Sequence, residues 1–346
     1  MTDGINRTRM ANTVIVTEKE HGKGEEVFNR AGQYEIVRGP AEEAALSRAV
    51  KERQARAVVI GIERYTGPLY HALNEVSSGR GALIARFGVG HDGVDKALAS
   101  ENGIVVCNTP GVLEISVAEH TLWLMGNLAR HISQLETRLR VGEFAGETGT
   151  ELHGKRLGIL GFGRIGRRVA AMAHFGLGMT VCAADALGLE QMEAKLKRGF
   201  KEIQTVYGLE YYTNDCDRLF GECDWLSLHM PATPANRHFL NTARLSLMKS
   251  TAMMVNTARG SLVDEAALFD ALAGGRLAGA ALDVFENEPY QPVAPHKDLR
   301  QLSNVVLTPH AASNTREANR RMAEACLANV KHFFTGDFRR LSKVNA

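Results

Sequence analysis

Leu157-Gly158-Ile159-Leu160-Gly161-Phe162-Gly163-Arg164-Ile165-Gly166-Arg167-Arg168-Val169-Ala170-Ala171-Met172-Ala173 is the stretch that decides the fold. A short apolar run enters three glycines spaced G-x-G-x-x-G, and a segment with helical apolar spacing leaves them. Each glycine has a physical task. Gly161 allows a tight turn off the strand, Gly163 lets the backbone approach a pyrophosphate, and Gly166 lets helix and strand pack closely. The helix start at Arg164 and Ile165 offers N–H groups and a partial positive charge to phosphates. The next apolar run, Met179-Thr180-Val181-Cys182-Ala183-Ala184, ends at Asp185. A carboxylate about 20 residues beyond the glycines is placed to accept hydrogen bonds from an adenosine ribose. It would repel a 2′-phosphate, and Ala186-Leu187-Gly188 supply no cation to hold one, so NAD is expected rather than NADP.

Working outward, residues 1–109 alternate short β-branched runs (13–17, 34–37, 58–62, 83–87 and 104–107) with helical segments at 42–53, 68–76 and 94–100. Such alternation predicts a parallel sheet covered on both faces. Asn108-Thr109-Pro110-Gly111 breaks the pattern with turn formers. A mostly buried helix over 116–130 and a Gly- and Thr-rich loop over 141–150 follow. A second α/β series then places strands at 156–160, 180–183, 225–229, 252–256, 280–284 and 305–307. Residues 316–335 read as a closing helix. The stretch 187–217, with its basic Lys195-Leu196-Lys197-Arg198 and the aromatic Tyr207, Tyr211 and Tyr212, reads as a solvated helical insertion.

The bulk numbers exclude several classes. A chain of 346 residues has room for two domains of roughly 100–200 residues each. With 41 Lys and Arg against 39 Asp and Glu, the net charge of +2 gives no reason to expect nucleic acid or an anionic membrane as partner. Five scattered cysteines argue against a disulfide framework and against zinc, and point to a reducing, cytoplasmic setting. Residues 1–10 lack an apolar core of signal-peptide length, and no run approaches the roughly 20 apolar residues of a membrane span.

Three polar residues stand inside apolar or turn-forming runs: Arg259 in Asn256-Thr257-Ala258-Arg259-Gly260, Glu288 in Asp283-Val284-Phe285-Glu286-Asn287-Glu288-Pro289, and His310 in Leu307-Thr308-Pro309-His310. Taken singly, each reads as a capping or ion-pairing residue at a strand end. Taken together, a guanidinium, a carboxylate and an imidazole are the parts needed to reduce a 2-keto acid. Arg grips the carboxylate and polarises the carbonyl, His exchanges the proton, and Glu orients the His.

With these runs, and with Arg86-Phe87-Gly88-Val89-Gly90-His91-Asp92, Val117-Ala118-Glu119-His120-Thr121 and Ser227-Leu228-His229-Met230-Pro231, the chain resembles the D-isomer-specific 2-hydroxyacid dehydrogenases over residues 55–335. That family includes glyoxylate/hydroxypyruvate reductases, D-lactate dehydrogenases and 3-phosphoglycerate dehydrogenases. The resemblance implies two doubly wound parallel-sheet domains. A Rossmann NAD-binding domain (110–310) is inserted into a flavodoxin-like substrate domain (1–109, completed by 311–346), with hinges near 108–110 and 310. It implies that Arg259, Glu288 and His310 are catalytic, with Glu288 rather than Glu286 the acid. It further implies that the amides of Val89 and Gly90 hold the substrate carboxylate beside Arg259, and that Asp283 bonds the nicotinamide amide. His229, Pro231 and Thr257 join the glycine loop as cofactor contacts. Catalysis in an interdomain cleft, and a homodimer formed through the helix after Ser116, follow from the same likeness.

Some residues depart from the family pattern. Gly93 stands where a polar residue is usual after Asp92, and His91 lies beside the carboxylate loop as a further substrate candidate. Ala173-His174-Phe175-Gly176-Leu177-Gly178-Met179 resembles the glyoxylate and 2-ketogluconate reductase branch, whose members often prefer NADP, so branch and Asp185 point to different cofactors. Arg64 and Arg86 are candidates for reading the distal end of the substrate. Two cations there would suit a phosphate, leaving 3-phosphoglycerate as an alternative to a glyoxylate- or hydroxypyruvate-like keto acid. A reading of another class is an NAD-sensing scaffold, like the corepressors built on this fold.

Overall fold

The structure is a computed structural model describing residues 12–345; the leader reading of residues 1–10 lies outside the described residues. Contacts divide the chain into two compact units, one running to Leu113 and resuming at Thr315, the other spanning Glu114–Asn314. Each crossing falls about four residues beyond the hinge expected from the sequence.

In the first unit, β1 (Asn12–Thr17), β2 (Tyr34–Gly39), β3 (Ala57–Ile60), β4 (Ala82–Arg86) and β5 (Ile104–Cys107) form one parallel sheet in the order β2-β1-β3-β4-β5. Every residue of β3 and β4 is buried, which is why these strands read as unbroken apolar runs rather than as alternation. Helix Pro68–Ser77 starts on a proline, whose missing N–H costs nothing at a helix start. The Asp95 side chain caps helix Lys96–Glu101 by accepting from the Leu98 amide at 3.0 Å. Helix Arg316–Thr335 belongs to this unit, burying Cys326, Val330 and Phe333. Two helices were not expected, Glu18–Lys23 and Glu25–Asn29.

The second unit contains β6 (Arg156–Leu160), β7 (Thr180–Ala184), β8 (Leu209–Thr213), β9 (Trp225–Leu228), β10 (Met253–Asn256), β11 (Gly279–Leu282) and β12 (Val305–Leu307). They lie parallel in the order β12-β11-β10-β9-β6-β7-β8, so the winding reverses between β6 and β9, at the end of the glycine-bearing strand. In open α/β sheets a ligand crevice forms at such a reversal, beyond the carboxyl ends of the strands. Two apolar layers cover the sheet. One joins Ile159, Phe162 and Val169 to helix Glu114–Arg130; the other joins Leu228, Met254 and Leu282 to helix Glu265–Ala273. The expected fold class, two doubly wound parallel sheets, is the one observed.

The stretch 187–217 corrects the sequence reading. It folds as helices Leu189–Leu196 and Phe200–Tyr207 followed by the edge strand β8, with Met192, Ile203 and Tyr212 buried, so it belongs to the core of this unit. Residues 132–140, unassigned above, form a helix with no buried residue.

Candidate active site

At the glycine turn the backbone explains the residue types. Gly161 has φ +98°, and a Cβ there would lie 2.7 Å from the His229 carbonyl carbon. A Cβ on Gly166 would press into the Gly161 carbonyl oxygen. At Gly163 a Cβ would meet nothing within 4 Å, and helix Arg164–Leu177 begins there without a side-chain cap. Open space before uncapped amides is what a pyrophosphate requires, so these residues fit a dinucleotide. Asp185 accepts from the Phe162 amide at 2.7 Å and the Leu187 amide at 3.3 Å. A carboxylate has about four acceptor positions, which leaves some for ribose hydroxyls. His229 pairs its Nε2 with Ser227 Oγ at 2.7 Å, and burial holds the imidazole neutral, its pKa pushed down to about 3. The Pro231 carbonyl accepts from Asn236 Nδ2, and Thr257 shares a 2.8 Å hydroxyl contact with Thr121.

The three polar residues sit on loops that leave neighbouring strands. After β10, Asn256 turns the chain: its Oδ1 accepts from the Ala258 amide at 3.0 Å and its Nδ2 donates to the Arg259 carbonyl at 2.9 Å. After β11, Asp283 is fully buried. It accepts from Thr308 Oγ1 at 2.6 Å and from the amides of Ala311 and Ala312 at 2.8 and 2.9 Å, with His120 Nε2 at 3.4 Å. Burial alone would raise this carboxyl, but bonds from His120, Thr308 and the two amides outweigh it and hold it below the usual carboxylate range. The turn they fix carries His310, whose φ is +52°, a left-handed conformation uncommon for a side chain of this size. Its Nδ1 lies 2.7 Å from Glu288 Oε2, and Glu288 Oε1 accepts from the Phe285 amide at 3.1 Å.

Glu288, then, is the acid that meets His310, while Glu286 bonds His238 at 2.8 Å. Arg259 is brought to the same neighbourhood through its successor. A Cβ on Gly260 would fall on the Phe285–Glu286 peptide, so the arginine loop and the glutamate loop are in direct backbone contact.

Sequence reading missed a clasp behind this loop. Glu265 Oε1 accepts from the Glu286 amide at 2.5 Å, and Glu286 Oε1 accepts from the Glu265 amide at 3.1 Å. Glu265 is 3% exposed, and its Oε2 has no hydrogen-bond partner. Burial, reinforced by the Glu286 and Glu288 carboxylates, raises its carboxyl to about 7 despite the opposing amide bond. His238, Asp264 and Glu286 also bring potential ligand atoms within 4.8 Å of one another, but Glu286 is already engaged by His238 at 2.8 Å and by the Arg237 guanidinium at 3.6 Å.

The remaining candidates lie in the first unit. Val89 and Gly90 follow β4 on a loop held by Asn108 Nδ2, which donates to the Val89 carbonyl at 2.8 Å. Arg86 is buried, with its guanidinium folded back onto the Phe87 carbonyl, whereas Arg64 is exposed. His91 Nδ1 lies 3.3 Å from Lys96 Nζ. A Cβ at Gly93 would come within 2.6 Å of the Glu63 carbonyl oxygen, which explains the departure noted above: no side chain fits there.

A family model of the D-isomer-specific 2-hydroxyacid dehydrogenase NAD-binding domain matches residues 122–312. The chain belongs to the D-isomer-specific 2-hydroxyacid dehydrogenases. Within the family it is 39% identical over 261 residues to a glyoxylate reductase of Korarchaeum cryptofilum, covering 74% of each chain. It is 34% identical over 326 residues to a D-3-phosphoglycerate dehydrogenase of Methanocaldococcus jannaschii, spanning 94% of this chain but 58% of that longer one. A solved NADPH-dependent glyoxylate/hydroxypyruvate reductase of Sinorhizobium meliloti, in complex with NADP and malonate, superposes with a TM-score of 0.77 at 30% identity, covering 94% of each chain. The protein is accordingly an oxidoreductase with a nicotinamide-dinucleotide fold. Among the described residues, no helix of this dehydrogenase is long and apolar enough to cross a membrane.

Proposed function

We propose that the protein is an NADH-dependent reductase of a small 2-keto acid, of glyoxylate or hydroxypyruvate type, with His310 as general acid. The 2.7 Å contact between His310 Nδ1 and Glu288 Oε2 carries this reading. With Nδ1 engaged by the carboxylate, Nε2 is the nitrogen left to face a substrate oxygen, and the imidazolium form donates its proton to the alkoxide that develops there. Arg259 presents a planar fork that binds the substrate carboxylate and polarises the adjacent carbonyl. Val89 and Gly90 amides grip the same carboxylate, with His91 beside that loop as a further contact and Arg64 toward the distal end of the substrate, whereas the other distal candidate, Arg86, is buried with its guanidinium turned onto the Phe87 carbonyl. The glycine turn from Gly161 to Gly166, Asp185, His229, Pro231, Thr257 and Asp283 hold the dinucleotide, which when bound supplies the hydride that reaches substrate C2. Asp185 supports NAD over NADP, because a carboxylate opposes a 2′-phosphate.

A panel of 2-keto acids assayed with NADH and with NADPH tests the reading. Turnover of glyoxylate or hydroxypyruvate with NADH is expected. Binding of NADH with no turnover across the panel would favour the sensing scaffold, and selective turnover of a phosphorylated keto acid would favour the 3-phosphoglycerate alternative. All five cysteines are unpaired, which supports a cytoplasmic setting. A homodimer is supported by apolar side chains bared on the second unit: Trp123 is 72% exposed and Phe144 97%.

A further inference from the structure

The segment between Asp185 and β8 reaches the cofactor turn. Phe162, between the first two glycines, is 3% exposed because two tyrosines of that segment close on it edge-on. Its ring centroid lies 5.7 Å from Tyr207 and 5.9 Å from Tyr212. Arg167, from the helix after the glycines, sits over the Tyr207 ring at 5.9 Å and donates to the Phe162 carbonyl at 3.1 Å. The Tyr212 hydroxyl donates to the Leu187 carbonyl at 2.8 Å. Phe162 and Leu187 are the two residues whose amides hold the Asp185 carboxylate. Both of its anchors therefore rest on tyrosines contributed from 20 or more positions further along the chain.

We infer that Tyr207 and Tyr212 are positioning residues for the cofactor, with Tyr207 bracing the glycine turn that binds either dinucleotide and Tyr212 fixing the Asp185 carboxylate that discriminates between NADH and NADPH. The inference rests on the reading of Asp185 given above. Edge-to-face packing contributes beyond simple burial, so removing one ring loosens the turn. A carboxylate rejects a phosphate only if it cannot swing away, so a looser Leu187 amide weakens the discrimination.

The full-length protein is titrated with NADH and with NADPH by ligand fluorescence, comparing wild type with Tyr212→Phe, Tyr207→Ala and Tyr207→Phe. Tyr212→Phe keeps the ring and removes one hydrogen bond. Its NADH Kd should rise about fivefold, the equivalent of a typical net hydrogen bond, with a smaller change for NADPH, so the preference narrows. Tyr207→Ala should weaken both cofactors together by roughly three- to tenfold, consistent with the loss of an aromatic pair, and Tyr207→Phe should restore binding. In assays the loss should appear in the cofactor KM and not in kcat. An unchanged NADH to NADPH ratio in Tyr212→Phe overturns the inference, as does wild-type affinity in Tyr207→Ala. If Tyr207→Ala fails to fold, the Tyr212→Phe ratio alone decides. A wild type that prefers NADPH defeats the NAD reading instead, and the change from wild type to variant still decides whether Tyr212 sets the preference and Tyr207 the affinity.

Discussion

At the scale of single residues, the cluster behind Glu288 carries a measurable signature. Glu265 has its carboxyl raised from 4.5 to about 7 on folding. The folded state therefore holds a proton that the unfolded chain releases between those values, and stability is lost as pH rises from about 4.5 through 7. At roughly 1.4 kcal/mol per pKa unit the loss is about 3 kcal/mol at most. Glu265→Gln keeps an acceptor for the Glu286 amide and removes the titration. Its melting temperature should exceed that of wild type at pH 8, with the gap closing toward pH 5; a gap that stays constant with pH would count against this account. A second residue-scale expectation concerns Arg259. Lysine lacks the planar fork, and losing one charge-assisted contact that strengthens in the transition state costs on the order of 10²–10³ in rate. Steady-state turnover of Arg259→Lys measures it, and unchanged kcat/KM would contradict the assigned role. Arg259, Glu288 and His310 stood out in the sequence because each lies in an apolar or turn-forming run after an expected strand, although only the family resemblance picked Glu288 over Glu286. Glu265 did not stand out, because its partner Glu286 lies 21 positions away and nothing local marks an acid as buried.

At the scale of elements, the loop after β10 is locked to the loop after β11 through Gly260. A methyl group there would overlap the Phe285–Glu286 peptide, and backbone cannot move aside as a flexible side chain could. Gly260→Ala should therefore cost at least about 3 kcal/mol, at the upper end of overpacking penalties, and should depress turnover of whatever protein folds. Thermal melting paired with turnover per folded molecule checks it; wild-type values for both would refute the contact. Most strands could be read from sequence because a doubly covered parallel sheet demands continuous apolar runs. The failures share a cause. Helices Glu18–Lys23 and Glu25–Asn29 bury only Glu20 and Phe28, and helix 132–140 buries nothing, so none carries a periodic apolar signal. Edge strand β8 mixes buried Leu209 and Tyr212 with exposed Glu210, and its tyrosines read as a surface patch until their contacts with Phe162 are seen.

At the scale of the molecule, Trp123, Leu139, Val141 and Phe144 expose more than half of each side chain within one stretch of the second unit. Burying them against a second copy is the arrangement proposed above, and Trp123→Glu should shift the protein to monomer in sedimentation or light scattering. A wild type that is already monomeric at micromolar concentration would remove the proposal. A different consequence follows from the closing segment of the first unit. Past helix Arg316–Thr335, the Val344 amide donates to the Val106 carbonyl at 2.9 Å, and Asn345 bonds the backbone of Ile104 and Val106. This tail occupies the outer edge of β5, which is otherwise an open row of hydrogen-bonding groups. During synthesis the five strands of the first unit leave the ribosome before the whole of the second unit, and the helix and tail that cover them come after. At about 5–20 residues per second, some 200 intervening residues leave β5 uncovered for roughly 10–40 seconds. For that interval the β5 groups that the tail pairs in the folded chain have no partner from their own unit.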